Sequence, residues 1–214
     1  MRLFIFVIMA LICGNLLAQE EALVTIKVKL SDNRFAQGTG AVVKKLKDAP
    51  QDGYYSYVLT AAHVIEGGSS FTLLYPNGIN VERARLISQD KEADVAVLEG
   101  WTPNSINPIP LAEGVKEEEE IFVYSPRGVR RTKVSVVDKD EIYADIFFVS
   151  GESGSPVLNN RKEVVGVVSG GSIWFTDKKF EIRKDVRPNS ATEKRIATWP
   201  GRMGHVFSIR KILK

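Results

Sequence analysis

Along most of the chain, apolar residues recur in short runs that alternate with polar ones and break at turn-forming clusters. In "ALVTIKVKL" (Ala22 to Leu30), Val24, Ile26, Val28 and Leu30 fall on one face, and Thr25, Lys27 and Lys29 fall on the other. That two-residue period is the mark of a half-buried strand. "GTGAVVKKL" opens a second strand behind two glycines, and Tyr54 to Ala62, "YYSYVLTAA", reads as a third. Between them "KDAPQDGY" carries Pro50 and Gly53 and suits a hairpin tip. "SFTLLYPNGINVERARLI" turns at Pro76, Asn77 and Gly78, a further hairpin. "DVAVLEG" and "EEIFVYSP" are strands. "TKVSVVDKDEIYADIFFV" folds as two strands that turn at Asp138 to Asp140, and "SPVLNNRKEVVGVVSGG" as two strands joined by "NNRK". The tail "GHVFSIRKILK" starts as a strand and ends in a short helix.

No long amphipathic helix and no strict repeat interrupts this pattern. Many short strands at regular spacing predict an all-β barrel or sandwich. "KEEEE" (Lys116 to Glu120) reads as a solvated loop. Ser172 to Arg202 is the least regular segment. It has seven Lys and Arg from Lys178 to Arg195 against Glu181, Asp185 and Glu193, and predicts a long surface loop with a hairpin at "SIWF".

The first eighteen residues stand apart. "MRLFIFVIMALICGNLLA" has one early cation, Arg2, an apolar run from Leu3 to Ile12, and Ala18 ahead of Gln19 and two glutamates. Residues 1–18 read as a secretory signal peptide, with a retained anchor as the alternative. The run falls short of the roughly 20 apolar residues of a membrane span, so no stable membrane insertion is expected once the signal is removed. Lipidation at Cys13 is disfavoured by the bulky Ile12 before it. Cys13 is the only cysteine, so the mature chain of about 196 residues has no disulfide, thiolate metal site or cysteine nucleophile, and its core must hold it together. Two histidines without clustered acids predict no metal, and no cofactor is expected. A net charge of +3, without a basic stripe interleaved with aromatics, argues against nucleic acid as a partner.

Three stretches carry candidate chemistry. "VLTAAHVIEGG" stops an apolar run at His63. "ADVAVLEG" opens an apolar strand with Asp94, and "GESGSPV" sets Ser153 in a glycine-rich turn that can expose a hydroxyl and converge backbone N–H groups. Each has an ordinary structural reading alone. Together they supply what a serine nucleophile requires, an adjacent base and a group that orients the base. The order is His63, Asp94, Ser153, with sequence separations of 31 and 59.

"LTAAHV", "DVAVLE" and "GESGSPV" resemble the signature regions of the trypsin/chymotrypsin-like serine protease superfamily. "GTGAVV" looks like the strand that family places before its histidine, and "VVGVVSGG" like the strand that lines its specificity pocket. The resemblance covers roughly Leu23 to Leu213 and is nearest to the bacterial, disulfide-free branch, similar to the protease domain of HtrA-like periplasmic proteases, with no appended PDZ domain expected. It implies two six-stranded antiparallel β-barrels with the active site in the cleft between them. Residues 19–105 would form the N-terminal barrel and 106–214 the C-terminal one, with a connector near "WTPNSINPIP" (Trp101 to Pro110). It further implies a secreted or periplasmic serine endopeptidase acting on polypeptides. Ser153 would be the nucleophile, His63 the base, Asp94 its orienter, and Gly151 and Ser153 the oxyanion hole, with Ser169, Gly170 and Gly171 pairing with substrate backbone.

Several positions depart from the family pattern. Glu152 stands where Asp or Asn is usual, and no trypsin-style activation by a new N-terminus is expected. Ser155 replaces the commoner Gly, as in glutamate-specific relatives, but their pocket histidine is Val168 here, so acidic preference loses support. Counting back from Ser153 puts the pocket base near Phe147 and Phe148, with Asp145 two residues away. No Asp falls at the base itself, so a small or apolar P1 residue is expected rather than Lys or Arg. His205 is read as a structural histidine. Two rival readings remain. An α/β-hydrolase fits poorly, since Ser155 and Pro156 break its motif and only His205 lies downstream. A protease-like scaffold without catalysis is the stronger alternative.

Overall fold

The computed structural model describes residues 21–49, 52–138, 141–144, 146–170, 173–176, 179–182 and 201–205. The predicted signal peptide, Asp145, Gly171 and the expected C-terminal helix lie outside these residues. Six strands form the first barrel: β1 (Leu23–Leu30), β2 (Phe35–Ala49), β3 (Gly53–Thr60), β4 (Gly68–Leu74), β5 (Asn80–Asp90) and β6 (Val95–Pro103). They pair antiparallel in the order β1-β2-β3-β6-β5-β4 and close where β1 meets β4. The alternation of β1 is realised as drawn from its sequence: Val24, Ile26 and Val28 are buried and enter the first core. In β6, by contrast, Val95 to Leu98 are all buried, which is why its sequence is a continuous apolar run.

The second barrel consists of β7 (Glu120–Ser125), β8 (Gly128–Asp138), β9 (Glu141–Ala144), β10 (Pro156–Asn159), β11 (Val164–Gly170) and β14 (Gly201–His205). Its order is β10-β11-β14-β9-β8-β7, closed by β7 on β10. Strands β12 (Ile173–Thr176) and β13 (Lys179–Ile182) form a separate hairpin at the expected "SIWF" position. The architecture is therefore the all-β pair of six-stranded barrels. Among the described residues no helix is long and apolar enough to cross a membrane.

Local details differ from the sequence reading. The second strand expected in "TKVSVVDKDEIYADIFFV" stops at Ala144, and Ile146 to Val149 belong to the loop that follows. The third strand ends at Thr60 instead of running to Ala62, and a single helical turn, α1 (Ala62–Ile65), follows it. The apolar run continues because α1 buries Val64 and Ile65 in the first core, so apolar character there marks burial and not strand. Strand β6 also continues to Pro103, taking in the first part of the Pro- and Asn-rich stretch.

What remains of that stretch is tied to both barrels. Ile109 N–H donates to Val42 O in β2 at 2.8 Å, and Val164 N–H in β11 donates to Pro110 O at 2.8 Å. Ile106 and Ile109 are buried. The connector is thus a wedge between the barrels. Its start is fixed by the Tyr54 hydroxyl, which donates to Ile106 O at 2.5 Å.

A buried hydroxyl cluster underlies this corner. Thr102 Oγ1 lies 2.6 Å from Ser56 Oγ and 2.8 Å from Tyr75 Oη, and the Tyr75 hydroxyl also donates to Trp101 O at 2.9 Å. Buried hydroxyls stripped of partners are costly. Thr102→Val keeps the shape and removes the shared atom, so it should lower unfolding free energy by about 1–3 kcal/mol in a urea titration. A change under about 0.3 kcal/mol would contradict this role.

Candidate active site

His63 sits on α1, immediately beyond the end of β3. Gly67 (φ 71°) turns the chain away after the helix. The flanking Ala62, Val64 and Ile65 are buried, while the imidazole remains 41% exposed, so the helix is anchored by its neighbours and presents the ring. Asp94 lies between β5 and β6 in the left-handed region (φ 55°), a conformation that β-carbon sterics disfavour. The turn before it is stabilised by Asp90, whose Oδ1 accepts from the N–H groups of Glu92 and Ala93.

This turn aims the Asp94 carboxylate at α1. Its Oδ1 accepts the His63 backbone N–H at 2.8 Å, and its Oδ2 lies 2.7 Å from His63 Nδ1. A third donor comes from the other barrel: the Ser169 hydroxyl on β11 donates to Oδ2 at 2.5 Å. Burial alone would raise the Asp94 carboxyl. The bonds from the His63 ring and Ser169, with the positive character of the imidazole, outweigh it and hold the carboxyl below its ordinary value. An ionised Asp94 can only accept, so Nδ1 carries the imidazole proton and Nε2 is left as a base.

Ser153 is half-buried in the loop between β9 and β10. That loop rests on the first barrel. Thr39 N–H donates to Ser153 O at 2.8 Å, and the Thr39 hydroxyl donates to Gly151 O at 3.0 Å. Gly154 has φ 82°, and a β-carbon there would lie 2.0 Å from Thr39 O, 2.3 Å from Thr60 Oγ1 and 3.1 Å from Ala61 N. Only glycine lets the loop lie so close to the segment that leads into His63. Gly38 serves the same approach: a β-carbon there would meet Val64 at 2.6 Å and Ser153 O at 3.1 Å.

Gly151 is exposed with φ 91°, and Gly170 has φ 133° at the end of β11. Ser169, expected as a backbone partner for substrate, is placed by the structure with its hydroxyl on Asp94. The two phenylalanines part company. Phe147 is 47% exposed, whereas Phe148 packs on the second core, with the Arg130 guanidinium 5.7 Å from its ring centre. Ser155 is fully buried, and Val168 is buried in the second core. The His205 side chain lies outside the described parts. No metal-ligand cluster occurs among the described residues.

Residues 38–167 match the family described as Trypsin-like peptidase domain. The chain belongs to this family. Its trypsin-like peptidase segment includes His63, Asp94 and Ser153 and ends two residues before Ser169. Over 159 residues the chain is 26% identical to the probable periplasmic serine endoprotease DegP-like of Rhizobium meliloti (strain 1021), a match covering 64% of this chain and 30% of that protein. It is 25% identical over 146 residues to the periplasmic pH-dependent serine endoprotease DegQ of Escherichia coli (strain K12), covering 61% of this chain and 30% of that one. The matched regions therefore span less than a third of either relative. Among solved structures, the serine endoprotease from Yersinia pestis shares the fold with a TM-score of 0.63 at 18% identity, covering 92% of this chain and 62% of that one. The HtrA-type protease AlgW with tripeptide gives 0.62 at 16%, covering 92% and 60%.

Sequence reasoning flagged Glu152 only as a departure and did not find Arg130 or Thr39. Glu152 is 1% exposed, and its carboxylate is held by Arg130, whose Nη2 lies 2.7 Å from both Oε1 and Oε2. The signal for Arg130 was faint: "RGVRRTK" offers several cations, and only the alternation of β8 turns Arg130 inward while Arg131 is exposed.

The depressed Asp94 carboxyl has a pH signature. Folding favours its ionised form, so its contribution to stability is complete above the ordinary carboxylate range, about pH 4, and is lost as pH falls through the lowered folded value. Asp94→Asn has no such group. The stability gap between the two proteins, read by urea unfolding, should be full at neutral pH and narrow below about pH 4. A gap that stays constant down to about pH 3 would rule out this coupling.

Proposed function

We propose that the chain is a serine endopeptidase working through His63, Asp94 and Ser153. One observation carries this reading: a buried carboxylate takes the ring N–H and the backbone N–H of a half-exposed histidine, which leaves that histidine's outer nitrogen basic. The trypsin-like family and the endoprotease names of its relatives support the same reaction class.

In this reading the Ser153 hydroxyl attacks a peptide carbonyl while His63 Nε2 accepts its proton. The backbone N–H groups of Gly151 and Ser153 stabilise the oxyanion. The tetrahedral species collapses as His63 returns the proton to the leaving amine, and an acyl-enzyme on Ser153 remains. Water, deprotonated by His63, then hydrolyses the ester and regenerates Ser153. Asp94 holds the imidazole in one tautomer and stabilises its charged form. Substrate backbone adds as a strand along Ser169, Gly170 and Gly171. Phe147 and Phe148 border a site for a small or apolar P1 side chain. The protein acts in the periplasm or outside the cell, delivered by residues 1–18. The periplasmic names of the relatives support that location.

Digestion of a peptide library with cleavage-site sequencing tests activity and preference together. Ser153→Ala and His63→Ala should each reduce cleavage by on the order of 10³ to 10⁶-fold. Either variant keeping more than about a tenth of wild-type turnover would exclude this site. A fluorophosphonate should label wild type and not Ser153→Ala. Absence of any labelling across pH would favour the scaffold.

A further inference from the structure

The segment between β9 and β10 carries the nucleophile, both proposed oxyanion donors and the two phenylalanines. Its conformation is tied to one cation. Arg130 projects from β8, and its two terminal nitrogens divide their work. Nη1 donates to Phe147 O at 2.6 Å, and Nη2 bonds both carboxylate oxygens of Glu152 at 2.7 Å. One guanidinium therefore grips the loop at residues five apart, the second of them adjacent to Ser153. Glu152 distributes the hold further, accepting the Ser125 hydroxyl on Oε1 and the Val149 N–H on Oε2, each at 2.9 Å. The backbone closes the same turn through Glu152 N–H to Val149 O at 3.1 Å.

The asymmetry of burial shows what the pair does for the loop. The Glu152 side chain is 1% exposed, while Arg130 keeps 37%. Burying a carboxylate this deep is costly unless a cation and hydrogen-bond donors meet it. The Glu152 carboxylate sits between β7, β8 and the loop's own backbone.

Resting on the serine endopeptidase reading, we propose that Arg130 is a positioning residue of the reaction. It sets the oxyanion loop from within the second barrel, so that the site is held ready by a cation belonging to that barrel's own strand. The hydrogen bonds of Arg130 go to Phe147 O and the Glu152 carboxylate. Its effect reaches the chemistry through Glu152 and Phe147 O.

The test compares wild type, Arg130→Met, Arg130→Lys and the double variant Arg130→Met/Glu152→Leu on one peptide substrate. Hydrogen exchange of residues 147–153 is followed in parallel. Arg130→Met should lower kcat by about 10² to 10³-fold, the range for losing an oxyanion donor, with KM changed less than about threefold. The double variant removes the orphaned buried charge, so it should unfold cooperatively near the wild-type midpoint. It should still lose kcat by about 10²-fold and expose residues 147–153 to faster exchange, because the bonds to Phe147 O and Val149 N–H are gone. Arg130→Lys keeps the charge without the fork and should lose about tenfold in kcat. Wild-type kcat, within about threefold, in any folded member of the set that lacks the guanidinium would overturn the proposal and reduce the pair to a structural one. If wild type itself neither cleaves peptides nor accepts the fluorophosphonate, the endopeptidase reading fails. Exchange of residues 147–153 then decides separately whether Arg130 holds the loop: equal exchange in wild type and the double variant overturns that as well.

Discussion

The structure depends on a carboxylate that has almost left water. Asp94 is 8% exposed, and burial works against its charge. Three donors reverse that balance: the His63 backbone, the His63 ring and the Ser169 hydroxyl. Two come from the helical turn of the first barrel and one from β11 of the second. The interaction that fixes the tautomer of the imidazole is therefore also a bond between barrels. A buried charge satisfied from both sides makes the relative position of the two halves part of the electrostatics of the site.

A second set of ties runs alongside it. Thr39 reaches from β2 to the carbonyls of Ser153 and Gly151, and the connector wedge bonds Val42 on one side and Val164 on the other. The serine loop is thus fastened on two flanks, to the first barrel through Thr39 and to its own barrel through the Arg130–Glu152 pair. Glycine at 154 is required by this arrangement, since a β-carbon would run into the backbone of β2 and the Thr60 hydroxyl. The sequence "GESGSPV" is a compromise between a tight turn, close contact between the barrels and a buried carboxylate beside Ser153.

Much of this was legible from residue order alone. The strands of the first barrel announce themselves because half-buried strands alternate, and β6 because a strand buried on both faces does not. His63, Asp94 and Ser153 stood out because histidine is rare in this chain, Asp94 opens an apolar strand and Ser153 occupies a glycine turn. The helical turn α1 was missed because buried apolar residues look alike in a strand and in a short helix. The partners of these residues were hidden for a different reason. Ser169 meets Asp94 across 75 positions, and Thr39 meets Gly151 across 112. No local period encodes a pairing at that range. Arg130 was one cation among several, and its inward direction follows from the pleat of β8 only once the register is known.

The central claim is that Asp94 holds the His63 proton on Nδ1 and leaves Nε2 basic. Nitrogen-15 NMR of histidine-labelled protein at neutral pH, with the two rings told apart by a His205→Gln variant, measures this directly. The account predicts that the proton sits on Nδ1 of His63, seen as a one-bond coupling to a strongly deshielded proton that disappears in Asp94→Ala. A His63 ring protonated on Nε2 instead, with a spectrum unchanged by Asp94→Ala, would contradict it.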